Sequence, residues 1–163
     1  MSDKRPLKII LVGNTGVGKT CLIGSYLKKH FEEDSLATLS PAYSTQQYTK
    51  SDGTIVSIQI WDTAGQEKYQ AVSQLFFRNS DIAIMCFVAG DKDSMVSLHE
   101  WIRMVVSESP ACKFIFVATM SDLIEKEQFS DIIQDTEAEY KQYHPLKVFI
   151  TSAKNNYNVD EVF

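Results

Sequence analysis

The segment GNTGVGKT, residues 13–20, carries the residue types that bind a phosphate chain. Its glycines have the spacing G-x-x-x-x-G-K-T, which lets the backbone turn tightly and bring N–H groups to phosphate oxygens. Lys19 can reach the β- and γ-phosphates, and we expect the Thr20 hydroxyl to bind Mg²⁺. The pattern therefore predicts a nucleoside triphosphate site. Six further residues are included in that predicted site: Asn14, Thr15, Gly16, Val17, Gly18 and Cys21.

A second segment, WDTAGQ at residues 61–66, supplies the groups that a phosphate loop lacks. Asp62 ends an apolar run, and a carboxylate placed there can hold Mg²⁺. Gly65 has no Cβ and can offer its N–H to a γ-phosphate. Gln66 can hold the attacking water, which makes it the candidate catalytic residue. Together with the phosphate loop, this segment indicates hydrolysis of a nucleoside triphosphate.

These groups need a scaffold that brings the ends of several strands together. The apolar runs LKIILVG, DIAIMCFVA, CKFIFVATM and KVFITSA alternate with helical patterns, and Asp52-Gly53 predicts a hairpin turn. Alternating strands and helices predict an α/β fold of three layers. We expect a six-stranded, mostly parallel sheet with helices on both faces, and ligands at the carboxyl ends of its strands.

Composition limits the function further. The chain has 163 residues, the size of one domain, which we assign to residues 1–163. Its net charge of −5 and the lack of a basic stripe argue against nucleic acid as a partner. Three cysteines without C-x-x-C spacing indicate reduced thiols in an intracellular, cytoplasmic protein. The final residues begin a helical pattern that we expect to continue beyond Phe163, so that any membrane anchor would lie there.

The segments GNTGVGKT, WDTAGQE and TSAK resemble the nucleotide-binding motifs of Ras-superfamily small GTPases, most of all the Rab branch. The resemblance covers nearly the whole chain. It implies the P-loop NTPase fold, with GTP or GDP and Mg²⁺ as ligands and slow hydrolysis. It also implies two switch loops that effectors, GTPase-activating proteins and exchange factors recognise. A Rab-like protein would act in vesicle transport, as a peripheral protein on the cytosolic face of endomembranes.

The first switch loop diverges from the Rab pattern, with Pro41 among the changes. Thr38 has the family's offset from Lys19, so we expect it to bind Mg²⁺ and the γ-phosphate. Phe31 resembles the aromatic residue that packs against the guanine. Three aromatic residues fall where Rab proteins carry a partner-binding cluster, although burial in the core is the equally open alternative: Tyr43, Trp61 and Phe76.

The guanine-reading motif N-K-x-D is also altered. The base-reading segments of this chain are Thr119-Met120-Ser121-Asp122 and Ser152-Ala153-Lys154. Asp122 can still accept hydrogen bonds from the guanine N1–H and 2-amino group, the Ala153 N–H can meet O6, and Lys154 can pack on the base. The family's asparagine joins the base and phosphate loops, whereas Thr119 offers only a hydroxyl, and Met120 has no ammonium. We expect guanine preference with weaker binding and faster release.

Two alternatives stay open at this stage. A hydrolysis-impaired pseudo-GTPase could use bound nucleotide only as a scaffold. A P-loop kinase acting on a small metabolite is weaker, because no arginine-rich lid is visible. Thr15 lies where a side chain can crowd the attacking water, and no internal arginine finger is evident, so slow turnover with an arginine from a partner is expected.

Overall fold

The structure, a computed structural model, describes residues 5–14, 16–28, 42–62 and 77–162, and for residues 20, 27, 28, 42–44 and 160 it describes the backbone alone. The strands are β1 Leu7–Val12, β2 Ala42–Thr49, β3 Ile55–Asp62, β4 Ile82–Val88, β5 Lys113–Thr119 and β6 Lys147–Ile150. The helices are α1 Lys19–Lys28, α2 Lys92–Val96, α3 Leu98–Glu108, α4 Phe129–Glu139 and α5 Val159–Val162. Short 3-10 turns occupy Ser121–Leu123, Lys126–Gln128 and Lys141–Tyr143.

The strands form a six-stranded sheet in the order β2-β3-β1-β4-β5-β6. Strand β2 is antiparallel to β3, and all other neighbouring strands are parallel. The mostly parallel six-stranded sheet expected from the sequence is therefore confirmed. Because β1 lies between β3 and β4, the loops that follow these central strands meet at one edge of the sheet.

Side chains that alternate along the strands form two separate cores. In β1, Ile10 and Val12 face a core that includes Trp101 and Ile102 of α3. Ile9 and Leu11 face the opposite core, which contains residues of α1 and α5. This alternation follows from the two-residue period of a strand, and it places helices on both faces of the sheet.

The Asp-Gly turn between β2 and β3 forms as its sequence indicates. Gly53 has a φ of +87°, which glycine adopts without a steric penalty. The Asp52 side chain accepts a hydrogen bond from the Thr54 N–H at 2.8 Å. The two eight-residue strands on either side of the turn pair along their whole length. Thr49 is opposite Ile55 next to the turn, and Ala42 is opposite Asp62 at the far end. The hairpin thereby carries Asp62 to the edge of the sheet where the phosphate loop begins.

The segment SMVSLHEWIRMVVSES, residues 94–109, has apolar residues at the spacing of one helix. It is divided between two helices, because α2 ends at Val96 and α3 begins at Leu98. Ser97 between them keeps a helical φ of −60°, and its N–H donates to the Asp93 carbonyl. Helix α4 ends at Glu139, and a 3-10 turn follows. Within the described ranges, no helix has the length and apolar character needed to cross a bilayer.

Candidate nucleotide site

The phosphate loop, residues 13–20, begins where β1 runs against β4. At Gly13, with a φ of +155°, a Cβ atom would lie 2.4 Å from the Cys86 carbonyl oxygen of β4. Only glycine fits this close approach, which fixes the direction of the loop. Gly16 and Gly18 also have positive φ values, +84° and +92°. The three glycines therefore do what their spacing predicts for a tight turn between a strand and a helix.

Lys19 is the first residue of α1, and its ammonium is held inside the loop. The Nζ atom donates to the carbonyl oxygens of Gly13 at 3.0 Å and Asn14 at 2.9 Å. The side chain is buried, and burial lowers its pKa below the ordinary value of 10.5, while the nearby Asp62 acts in the opposite direction. The ammonium is thus fixed where the loop curls, with a charge that an anion would stabilise.

Beneath the loop, Cys86 is fully buried. Burial raises the pKa of its thiol to about 12, so the group is neutral at physiological pH. A neutral thiol adds no negative charge below a site that is predicted to hold phosphates. The acidic group beside the loop is Asp62, which ends β3 opposite Leu11 of β1 and is itself buried.

The base loop, residues 119–122, is tied to the phosphate loop by Thr119. Its Oγ1 lies 2.5 Å from the Val17 carbonyl oxygen and 3.1 Å from that of Phe87, and Thr119 is buried. A hydroxyl has one proton to donate, and the shorter contact is the one to Val17. The connection that we expected the shorter side chain to weaken is therefore still made, by one hydroxyl in place of a longer amide.

Met120 occupies the position of the family's lysine and has a left-handed backbone, with a φ of 58°. Its half-buried side chain ends close to the phosphate loop, since a Cβ atom added at Gly18 would lie 3.5 Å from Met120 Cε. Among the described residues, the base loop thus meets the phosphate loop through the Thr119 hydrogen bond, with the apolar end of Met120 nearby.

Asp122 is exposed, and its carboxylate is oriented by Ser152. The Ser152 hydroxyl donates to Asp122 Oδ1 at 2.8 Å and accepts from the Asn155 N–H at 3.1 Å. The base loop is also anchored through its backbone, because the Ser121 N–H donates to the Thr151 carbonyl. The segments around residues 122 and 152, far apart in sequence, therefore form one unit at the ends of β5 and β6.

Helix α1 holds the SAK segment, residues 152–154, in place. The buried Ser25 Oγ lies 3.1 Å from Asn156 Oδ1 and 3.3 Å from the Ala153 carbonyl oxygen. Ala153 is half-buried and Lys154 is exposed. The base loop thus attaches to the phosphate loop, and the SAK segment attaches to α1, the helix that the phosphate loop leads into.

The side-chain contacts of Asn14 could not be predicted from the sequence. Its Oδ1 accepts from the Trp101 indole N–H at 2.8 Å, and its Nδ2 donates to Ser97 Oγ at 3.0 Å. Both partners lie more than 80 residues after Asn14 in the sequence. No local pattern links the two residues. An asparagine is common in a glycine-rich turn, and a tryptophan is common on the buried face of a helix.

Several predicted site residues lie outside the described ranges: Thr15, Phe31, Thr38, Gly65, Gln66 and Phe76. For Thr20 and Tyr43 the backbone is described, in α1 and β2 respectively. Trp61 is half-buried against the core, and the Lys8 ammonium lies 4.8 Å from its ring centroid. Cys21 is half-buried in α1, and Val17 is buried.

Comparison with known proteins shows which family this chain resembles. Residues 8–163 match the model of the Ras family. The chain is 30% identical to Ras-related protein Rab-30 of Homo sapiens over 96% of this chain and 75% of that protein. It is 28% identical to the Ypt/Rab-type GTPase YPT7 of Saccharomyces cerevisiae over 98% of this chain and 79% of that protein.

A third relative shows that the similarity extends beyond Rab-type proteins. The chain is 34% identical to GTP-binding protein RHO4 of Saccharomyces cerevisiae over 96% of its own length, and it spans 55% of that protein. The family match covers the phosphate loop, the base loop and the SAK segment together. The chain therefore belongs to the Ras family, and it is a small GTPase with Rab-type proteins among its relatives.

Proposed function

We propose that this protein is a Rab-like molecular switch that binds GTP with Mg²⁺, hydrolyses it slowly to GDP and phosphate, and acts in vesicle transport. The observation that supports the nucleotide site most strongly is the joining of the phosphate and base loops through Thr119 and Val17. This contact sets the distance between the groups that face a phosphate chain and those that face a base. The Rab-type relatives support the Rab-like assignment, and the transport role is what the resemblance to Rab proteins implies.

The residues present fit Mg²⁺. Magnesium prefers hard oxygen ligands and is usually held by one or two carboxylates together with substrate phosphates and water. Asp62 is a buried carboxylate beside the phosphate loop, close enough to influence the pKa of Lys19. Asp62, Thr20 and Thr38 would hold the ion, whose chemistry is to neutralise charge on the phosphate oxygens. Among the described residues no cluster of three or more His, Cys, Asp or Glu side chains could hold a metal alone.

Base selection would rest on Asp122. Its carboxylate, oriented by the Ser152 hydroxyl, accepts hydrogen bonds from the N1–H and 2-amino group of guanine. Adenine lacks that pair of donors. The Ala153 N–H would donate to guanine O6, while Lys154 and Phe31 would pack on the ring. Met120, without an ammonium, would leave guanine preference intact while weakening affinity.

Hydrolysis would proceed by attack of water on the γ-phosphorus with cleavage of the bond to the β–γ bridging oxygen. Gln66 would orient the water, and Lys19 and the loop N–H groups would stabilise charge on the phosphate oxygens. A GTPase-activating protein would supply an arginine. Release of phosphate would then free both switch loops, and effectors and exchange factors would read the change through Tyr43, Trp61 and Phe76.

A competition experiment tests the base specificity. Displacement of a fluorescent GDP analogue by GTP, XTP and ATP should rank GTP first for the wild type. Asp122→Asn offers an amide that can donate to the 2-oxo group of xanthine, so it should rank XTP above GTP. Asp91→Asn removes a similar carboxylate outside the site and is the matched control. Equal displacement by ATP and GTP in the wild type would contradict the role of Asp122.

The pseudo-GTPase remains the second candidate because the base loop departs from the family pattern at Thr119 and Met120. A single-turnover assay of preloaded GTP separates the two candidates. A switch enzyme should convert the bound GTP to GDP, and Gln66→Leu should slow that conversion at least tenfold. If wild type and Gln66→Leu retain GTP equally, the scaffold interpretation holds instead.

A further inference from the structure

Helix α3 makes a polar contact with the phosphate loop that neither the motif nor the family match explains. The Trp101 indole N–H donates to Asn14 Oδ1 at 2.8 Å, and Asn14 Nδ2 donates to Ser97 Oγ at 3.0 Å. Ser97 Oγ in turn donates to the Ser94 carbonyl at 2.7 Å. The Asn14 side chain is therefore held at both of its polar atoms by the α2–α3 segment.

The orientation of this amide is fixed by chemistry. An indole nitrogen can only donate, so the atom of Asn14 that faces Trp101 must be the oxygen. The Ser97 hydroxyl donates to Ser94 and is left as an acceptor for the Asn14 amide. The indole N–H and one N–H of the Asn14 amide thus each meet an acceptor, and a residue 14 that could not accept here would leave the buried indole N–H unsatisfied.

Trp101 is a rigid anchor for this contact. Its side chain is 3% exposed and packs edge-on against Phe77, with ring centroids 6.4 Å apart. A buried indole needs a partner for its N–H, and the partner here belongs to the phosphate loop. Because the ring is held by the core, the position of its N–H sets the position of Asn14.

The main chain of Asn14 holds the phosphate-binding lysine. The Asn14 carbonyl oxygen lies 2.9 Å from Lys19 Nζ, and the Gly13 carbonyl oxygen lies 3.0 Å from it. Trp101 therefore contacts the side chain of Asn14, and the carbonyl of Asn14 contacts the Lys19 ammonium. That ammonium is the charge expected to meet the β- and γ-phosphates. A shift of Asn14 would move that carbonyl, and the ammonium with it.

We propose that Trp101 and Asn14 form a latch by which helix α3 positions the phosphate loop for nucleotide. Trp101 is thus a positioning residue that acts on the nucleotide through Asn14 and Lys19. This inference rests on the binding of guanine nucleotide at the loop, as proposed above. Loss of the latch weakens the hold on the phosphates and leaves the reading of the base by Asp122 unchanged.

The test compares Trp101→Phe, which keeps an aromatic ring but removes the N–H, with Asn14→Leu, which keeps a similar size but removes both polar atoms. Each variant should release a fluorescent GDP analogue about fivefold to fiftyfold faster than wild type, the range expected for one lost buried hydrogen bond. The double variant should release it no faster than the faster single variant, because both changes remove the same contact. The preference for GTP over XTP should not change.

A matched control separates positioning from general destabilisation. Val105→Ala removes fully buried side-chain atoms from the same helix but leaves the latch residues in place. It should lower the melting temperature without a matching rise in GDP release. If Val105→Ala speeds release as much as Trp101→Phe at equal loss of melting temperature, the latch is wrong.

A spectroscopic measurement keeps the proposal testable if Trp101→Phe does not fold. The chain has two tryptophans, so Trp61→Phe assigns the Trp101 indole proton in an NMR spectrum. That proton should be protected from exchange in wild type and should shift upfield and exchange faster in Asn14→Leu. An unchanged indole signal, or GDP release at the wild-type rate in Asn14→Leu, overturns the latch, whereas failure of wild type to bind GDP overturns the proposed function instead.

Discussion

Thr119 shows how one residue can keep a contact while changing its chemistry. Its hydroxyl reaches the Val17 carbonyl at 2.5 Å from a buried position at the end of β5. Thr119→Val keeps the shape but leaves that carbonyl unsatisfied, at a cost of about 1–3 kcal/mol. We expect release of GDP to accelerate at least fivefold, as measured with a fluorescent analogue.

The comparison variant for this residue is Thr119→Ser, which retains the hydroxyl. It should release GDP at a rate near that of wild type, and its rate should lie well below that of Thr119→Val. If the valine variant retains GDP as long as wild type does, the hydroxyl does not join the two loops in solution.

Met120 offers the opposite change, a gain of charge. Met120 stands where the family carries a lysine, and its Cε lies near Gly18. Met120→Lys should raise the affinity for GTP about tenfold, because a charged contact contributes about 1–3 kcal/mol. Isothermal titration calorimetry measures this change. Met120→Leu, which changes shape without charge, should bind like wild type, and equal affinities in all three proteins would show that the lysine contact is not available here.

At this scale, the motifs could be proposed from the sequence, whereas their cross-connections could not. The phosphate loop and Asp62 were proposed from residue type and spacing, and Asp122 from the resemblance to small GTPases, and their roles toward a ligand stay predictions. The contacts of Asn14 with Trp101 and of Thr119 with Val17 join segments that only the fold brings together. Neither pair leaves a pattern in a single sequence.

Helix α1 carries a glycine in its interior that packing does not require. Within the part of the chain that the structure describes, a Cβ atom at Gly24 would meet no heavy atom within 4 Å, and the φ of Gly24 lies outside the left-handed region. Gly24→Ala should therefore stabilise the protein by about 0.5–1 kcal/mol and raise the melting temperature by roughly 1–4 °C. Thermal unfolding of the GDP-bound protein measures the change, and a lower melting temperature would show that the space is not free.

Among the elements, the strands were predicted best because apolar runs buried on both sides leave little choice. The hairpin followed from Asp52-Gly53, whose turn chemistry is local. The helix ends were predicted less well. Ser97 separates α2 from α3 within residues 94–109, and its hydroxyl donates to the Ser94 carbonyl and accepts from Asn14. Periodicity does not record the tertiary contact with Asn14.

For the whole molecule, the buried ammonium of Lys19 makes stability depend on pH. Burial lowers its pKa in the folded state below the ordinary 10.5. Between that lowered pKa and 10.5 the unfolded chain holds the proton and the folded protein has lost it, so the free energy of unfolding rises with pH. Below the lowered pKa both states are protonated, and this group gives no slope.

Urea unfolding of the nucleotide-free protein at increasing pH measures this effect against Lys19→Met. The variant should lack the part of the rise due to Lys19, while contributions from other groups, such as the partly buried Lys8, remain in both proteins. Parallel profiles for the two proteins would contradict a lowered pKa at Lys19.

The central claim is that one surface, formed by the phosphate loop, the base loop and the SAK segment, binds a single guanine nucleotide. The most direct measurement is an NMR titration of backbone amides with GTP and Mg²⁺. We predict that the amide signals of Gly16, Gly18, Lys19, Asp122 and Ala153 shift together and saturate at one equivalent, whereas ATP leaves them in place. Unchanged signals from the phosphate loop at saturating GTP would contradict the account.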